Sequence, residues 1–363
     1  MKASSGLIDR RAFLAAAGAG FLSGLTSRSA FALTRADAVY ATGYRDADRR
    51  FGLALMSERG DFIDRIDLPD RMHGLCHSPA TGRVVAFARR PGTFAMILDT
   101  RGHSEPIVIH AAENRHFFGH GHFSPDGRIL YASENDFEAG RGVIGLYDGA
   151  RGFARIGEFP AHGIGTHDMT VSDDGALLII ANGGIETHPD FGRTKLNLDA
   201  MQPSLVIADA RDGRLIEKHL MPNGLEQLST RHLAVMDRGE IWFACQYEGA
   251  RNDLPPLVGR FGQGVDLRFA ELPEDTTTAL ANYVGAIAVH RTDRLVGLAS
   301  PKGGVAVTLS ATSGKVVATQ TIPDAAGIAP ARHGFAVSSY RGDFDKARQP
   351  VAFDQHIVRT TAA

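Results

Sequence analysis

The sequence predicts an all-β fold, a β-propeller of seven four-stranded blades, and three observations carry that prediction. First, a header recurs: His73-Gly-Leu-Cys-His-Ser78-Pro, His120-Gly-His-Phe-Ser124-Pro-Asp-Gly and His167-Asp-Met-Thr-Val-Ser172-Asp-Asp-Gly, with the aligned serines 46 and then 48 residues apart. A period in the mid-to-upper forties with turn residues between short strands is the repeat of a propeller blade. Second, each header leads through a turn into a β-branched or apolar run, and third and fourth runs such as Ser204-Leu-Val-Ile-Ala-Asp-Ala alternate at period two. Third, no long helical pattern interrupts the series, which disfavours an α/β wrap.

In chain order, residues 1–32 read as a targeting segment, outside fold reasoning. Asp9-Arg10-Arg11-Ala12-Phe13-Leu14 is a twin-arginine pattern, Phe13 to Leu25 is a modest apolar stretch too short to span a bilayer, and Ala30-Phe31-Ala32 is an A-x-A cleavage site. The expectation is periplasmic export, a mature chain starting near Leu33, no membrane insertion of that chain, and one propeller domain over 33–363. The full chain has 39 basic and 41 acidic residues; removing four basic residues and one acidic residue leaves a net charge of −5. No nucleic acid or anionic membrane partner follows from that balance. Cys76 and Cys245 both fall in β-runs and read as small core hydrophobes, and no C-x-x-C-H is present for haem attachment.

The segment Ala38 to Leu68 supplies three strands without a header, and Val351 to Thr360 supplies one strand without followers. Together they make a closing blade that joins the two ends of the chain. Three full headers and three weaker ones, at Arg231-His232-Leu-Ala-Val, Val284 to Val289 and Gly327 to Pro330, add six blades; six in all is the alternative count. The insert Gly183 to Pro203 sits between two strands of one blade. Its Ile185, Leu196, Leu198 and Met201 favour a segment folded over a face of the disc.

The first strand of each blade lines the central channel, so headers bring their side chains to one mouth. His73, His120, His167 and His232 then converge from successive blades, with His122 beside the second and Asp168 and Arg231 beside the others. Imidazole suits zinc, copper, iron or nickel, and an added carboxylate suits iron. His120-Gly-His122 alternates on a strand, so both rings point one way and form the best local chelate. Against this stands the plain reading of polar channel-lining groups bonded to water and backbone.

A second, acidic constellation comprises Glu134, Asn135, Asp136 and Glu138 with Asn182, Glu186, His188 and Asp190. Such oxygen donors suit calcium or magnesium, and mixed with His188 they suit iron or manganese; solvated turn loops are the bland alternative. Asn135, Asn182 and Arg231 are the expected cofactor-binding residues, and Arg141, Arg193 and Arg231 could neutralise the carboxylates or grip an anionic ligand in bidentate fashion. Serines 78, 124 and 172 stand in turns, and neither a G-x-S-x-G elbow nor a phosphate-binding glycine motif is present.

At Arg101-Gly-His-Ser, Arg115 to Gly127, Glu134 to Gly145, Asn182 to Asp190, Lys195 to Leu205 and Leu228-Ser-Thr-Arg-His-Leu, the chain resembles a bacterial family of exported propeller-like proteins, domain of unknown function 1513. The closing Ala352-Phe-Asp-Gln-His356 departs from the Trp-Asp-Asn-His pattern expected of it. Members are often encoded beside imelysin-type iron-regulated proteins and a di-haem oxidoreductase-like protein. The resemblance therefore implies periplasmic iron handling, with imelysin-like or di-haem cytochrome-like partners. The function expected is an accessory protein in iron or metal acquisition, holding iron or copper, an iron complex or a partner protein at the His-rich mouth. The alternative is a propeller enzyme, a metal- or quinone-dependent oxidoreductase or a hydrolase, using the same face.

Overall fold

The computed structural model describes residues 26–100 and 104–360, so the twin-arginine pattern lies outside the described residues. A short helix, α1 (Ser27–Arg35), opens the described chain; it contains the Ala30-Phe31-Ala32 sequence and packs Ala32 and Leu33 into a core cluster.

Strands β1 (Val39–Arg45), β2 (Phe51–Ser57) and β3 (Phe62–Leu68) lead into six consecutive four-stranded sheets. These are β4 (Met72–Ser78), β5 (Arg83–Ala88), β6 (Phe94–Asp99) and β7 (Ile107–His110); then β8 (Arg115–Phe123), β9 (Ile129–Asp136), β10 (Arg141–Asp148) and β11 (Ala154–Pro160). The next two are β12 (Thr166–Val171), β13 (Leu177–Asn182), β14 (Ser204–Asp209) and β15 (Leu215–Leu220), and β16 (Leu228–Val235), β17 (Ile241–Tyr247), β18 (Val258–Gly262) and β19 (Val265–Phe269). After helix α2 (Glu274–Ala279) come β20 (Ala286–His290), β21 (Leu295–Ser300), β22 (Val305–Ser310) and β23 (Val316–Thr321), then β24 (Ala325–Pro330), β25 (Phe335–Ser339), β26 (Asp343–Phe344) and β27 (Ala347–Arg348). Finally β28 (Ala352–Arg359) returns to pair antiparallel with β1, giving the order β28-β1-β2-β3.

Seven four-stranded antiparallel sheets result, and the expected count and closure are those observed. The innermost strands touch in sequence around the ring, β4 with β8, β8 with β12, β12 with β16, β16 with β20, β20 with β24, β24 with β28 and β28 with β4. Apolar clusters fill the spaces between sheets. The largest joins β13, β14, β17, β18, β21 and β22 around fully buried Trp242 and Phe243. Each large apolar side chain so buried contributes about 1.5–3 kcal/mol.

The recurrent serines are turn fasteners. Ser124 Oγ donates to Asp126 Oδ1 and accepts the Ile129 N–H, while Ser172 Oγ donates to Asp174 Oδ1 and accepts the Leu177 N–H. Gly127 and Gly175 close these turns at φ of 70° and 74°, a left-handed backbone that favours glycine. Cys76 and Cys245 are buried free thiols, as core residues should be.

Candidate metal centre

The innermost strands do more than line the axis. In β4 the pairing with β5 slips between Met72 and Leu75; in β8 the pairing with β9 slips between Phe117 and Gly121. Further slips fall between Thr166 and Asp168 in β12 and between Thr230 and His232 in β16. Facing β1, Phe353 and Ile357 of β28 bracket another. Each is a β-bulge, which bends the strand and re-aims a side chain. His73, His120, His167, His232 and His356 stand within or at the edge of these five bulges.

All five imidazoles meet on the axis. His120 is at the hub, its ring centroid 4.8 Å from His73, 5.1 Å from His167, 5.4 Å from His232 and 4.8 Å from His356. His356 lies 4.9 Å from His232 and 5.0 Å from His73. Among the described residues, the groups of three or more potential ligand atoms within 4.8 Å of one another are His73-His120-His356 and His120-His167-His232. Bonds of about 2.0–2.1 Å to a shared ion need nitrogens roughly 3–4 Å apart, so a pair at the 4.8 Å limit closes by roughly 1–2 Å on binding. The sequence points to four of the five. His356 enters it only within a departure from the family pattern, although its strand is expected in the closing blade, and an inner place for that strand is the signal that finds it.

Asp168 is the second layer. Its Oδ1 is 3.5 Å from His120 Nδ1 and its Oδ2 is 3.9 Å from His232 Nδ1, while it accepts the N–H groups of Met169 and Leu233 at 2.8 and 3.0 Å. A carboxylate beside Nδ1 favours the proton there and leaves the lone pair on Nε2. Nε2 of His120, His232 and His356 are buried and have no hydrogen-bond partner. Buried polar atoms left unpaired are costly, so three of them in one cluster of histidines need an account. His167 differs: Arg231 Nη1 donates to its Nδ1 at 3.3 Å. A guanidinium can only donate, so the proton of neutral His167 sits on Nε2.

Burial first, and then neighbouring positive charge, holds His73, His120, His167 and His232 well below the ordinary imidazole range; burial lowers His356 to about 3. Burial also pushes Asp168 up to about 7, against the pull of its two backbone hydrogen bonds. The imidazoles are therefore neutral, the form that binds metal.

Other expected residues sit elsewhere. His122 lies beyond the bulge, donates Nδ1–H to the Phe123 carbonyl at 2.8 Å, and lines a 330 Å³ stretch of channel on one side of the cluster with His77. The bulge separates it from His120, so the two do not chelate as a local pair. The acidic constellation is likewise not brought together. Glu134 is wholly buried, accepting from Tyr147 Oη at 2.6 Å and Arg155 Nη2 at 2.9 Å. Asp136 pairs with Arg115 and Arg141. Asn135 donates to His116 Nε2 and to the Thr187 carbonyl, and Asn182 bonds Thr166, Ser204 and the Ala161 carbonyl. Glu186 is exposed, and His188 Nδ1 caps a short turn by accepting the Asp190 N–H. These groups spend their hydrogen-bonding capacity on holding blades and loops together.

Arg231 is buried, 5% exposed, and is held by Glu248 at 3.1 Å, so it positions His167. The insert 183–203 does fold over the face of the disc: Ile185 and Met201 are buried, Asn197 Nδ2 donates to the Gly184 carbonyl, and Leu196 alone of its four named apolar residues stays exposed. A larger hollow, about 750 Å³, opens off the axis near Asp173 and Val265, and contains no histidine.

The chain is similar in fold to the β-propeller domain of Cps50 (Swd1) from Myceliophteria thermophila, at 11% identity and a TM-score of 0.58 over 82% of this chain and 93% of that one. It is also similar to a chain of a nidogen/laminin complex, at 10% identity and a TM-score of 0.52 over 88% of this chain and 98% of that one. No curated protein matches the sequence. Residues 66–360, from β3 to the end of β28 and thus including all five axial histidines, match the family described as Protein of unknown function (DUF1513), and the chain belongs to it.

Proposed function

We propose that this protein is an exported metal-binding propeller that holds a transition-metal ion, iron or copper, among His73, His120, His232 and His356, with His167 joining only by giving up its hydrogen bond from Arg231, and serves metal acquisition in the periplasm. The observation that carries the reading is that His120 belongs to two sets of three histidines, with His73 and His356 and with His167 and His232, whose ligand atoms lie within 4.8 Å of one another, while the Nε2 atoms of His120, His232 and His356 are buried without a protein partner. An all-imidazole set selects copper, zinc, iron or nickel over magnesium or calcium, which prefer oxygen. Asp168 supports it as the outer carboxylate that metal-bound histidines ordinarily have. The twin-arginine pattern supports export, and that route carries folded chains. The family's gene neighbourhood supports iron as cargo, with imelysin-like or di-haem cytochrome-like proteins as partners.

Elemental analysis of the purified protein, followed by titration of the metal-free form with Fe(II), Cu(II) and Zn(II), tests the reading. One ion per chain is expected, with His120→Ala losing it and Asp168→Asn weakening it about 10- to 100-fold. A chain that carries no metal and binds none of the three at micromolar concentration overturns it.

A further inference from the structure

On the side of the histidine cluster covered by the 183–203 insert lies a cavity of about 130 Å³. His73 and His167 line it together with five cationic side chains: Arg89, Arg90, Arg193, Lys195 and Arg231. Two acids answer them: Glu248, which is taken by Lys195 and Arg231, and Asp354, which acts on Arg89 and is taken by Arg71. Among the described residues, Arg89, Arg90 and Arg193 have no ion pair and no side-chain hydrogen bond, and the Nε atoms of Arg89, Arg90 and Arg231 are buried without a partner.

Desolvation, and then the positive charges of Arg231, Arg193 and Arg89, bring Arg90 down to about 9; Arg89 and Arg193 are lowered for the same kinds of reason. A pocket that gathers guanidiniums against their own repulsion, with donors left over, is complementary to an anion. Its volume is about four times the ~30 Å³ that one water takes in the liquid, and well below the ~300 Å³ at which pockets for drug-sized ligands begin.

We infer that this cavity binds a small multivalent oxyanion, of the phosphate or dicarboxylate class, gripped by Arg89, Arg90 and Arg193 and capped by the insert. The anion site rests on the arginines alone. Its second consequence rests on the metal reading above: because His73 lines the cavity and belongs to one of the two histidine sets, anion and cation sit beside each other with opposite charge, and the two bind cooperatively. By linkage each then tightens the other by the same factor.

Calorimetric titration of the full chain, first metal-free and then metal-loaded, with inorganic phosphate in one arm and oxalate in the other, tests both statements. Saturable binding of at least one probe to the metal-free protein is expected, weakened at least 10-fold in Arg90→Gln and in Arg193→Gln. Arg193 is on the exposed insert, so its variant does not put folding at risk. Which probe binds separates an inorganic from an organic source. No binding of either probe to metal-free protein, or binding unchanged in both variants, overturns the anion site whatever the metal result. Binding that is lost in the variants but equal in metal-free and metal-loaded protein keeps the site and overturns the coupling.

Discussion

His116 is held in one protonation state by its two neighbours. Its Nδ1 lies 3.0 Å from the Phe117 carbonyl, which can only accept, and its Nε2 lies 3.1 Å from the Asn135 amide, which donates. A proton on Nε2 would face that N–H. Burial, the dominant cause, lowers His116 from 6.5 to about 4. Between those values the unfolded chain takes up a proton that the fold excludes, so stability from this group is complete above pH 6.5 and is lost as pH falls toward 4. The loss is about 3 kcal/mol, because each pH unit across that window costs ~1.4 kcal/mol. Urea unfolding of wild type and His116→Gln at pH 7 and pH 4 measures it, because the difference in unfolding free energy between the two should shrink by roughly that amount. Parallel pH profiles would show that the ring is not excluded from protonation. Asn135 is legible in the sequence as the end of a strand, but nothing in the sequence shows that its amide points at His116 rather than at a cofactor.

The strands and turns were legible because their signals are local: alternation at period two, Ser-x-Asp turns, and glycines where the backbone is left-handed. The bulges were not. A bulge is a mismatch in count between two strands, and neither strand's sequence displays it alone. That is why convergence of four histidines could be expected from the repeat while the failure of His122 to join them could not. Gly74 shows what the bulge in β4 demands. A Cβ there would lie 2.2 Å from the Gly119 carbonyl oxygen and 2.7 Å from His120 Nδ1, and both belong to the facing bulge of β8. The backbone cannot yield cheaply, so Gly74→Ala should cost about 1–3 kcal/mol, the ordinary cost of overpacking. It should also displace the hub imidazole and weaken metal binding. Gly157→Ala on the edge strand β11, where an added Cβ meets nothing within 4 Å, is the matched control. Thermal melts and metal titration of the pair decide the matter, and equal behaviour of the two variants would mean that the approach of β4 to β8 is not what fixes His120.

At the scale of the whole ring, closure and function depend on the same strand. β28 supplies the innermost strand of the blade begun by β1, and it also carries His356. It is tied in by antiparallel pairing with β1, by Thr42 Oγ donating to the His356 carbonyl at 2.9 Å, and by Arg71 Nε donating to Asp354 Oδ1 at 2.7 Å. The Thr360 N–H donates to the Val39 carbonyl at 2.8 Å, so the two ends of the propeller meet. A chain ending after Gln349 would leave the inner edge of β1 unpaired and uncover the faces of β4 and β24 that pack on β28. It should lose cooperative unfolding and metal binding together, since one strand provides both. A circular permutant that links Thr360 to Ser27 through a flexible linker keeps every blade. Opened at the exposed turn of Pro222 to Glu226, before β16, it should melt within a few degrees of the parent and retain its metal, because termini at exposed turns are tolerated while every pairing is kept. Calorimetry and elemental analysis of both proteins test this. A truncated chain that still melts cooperatively with its ion in place would show that closure by β28 is dispensable, and that His120 is held by the remaining inner strands alone.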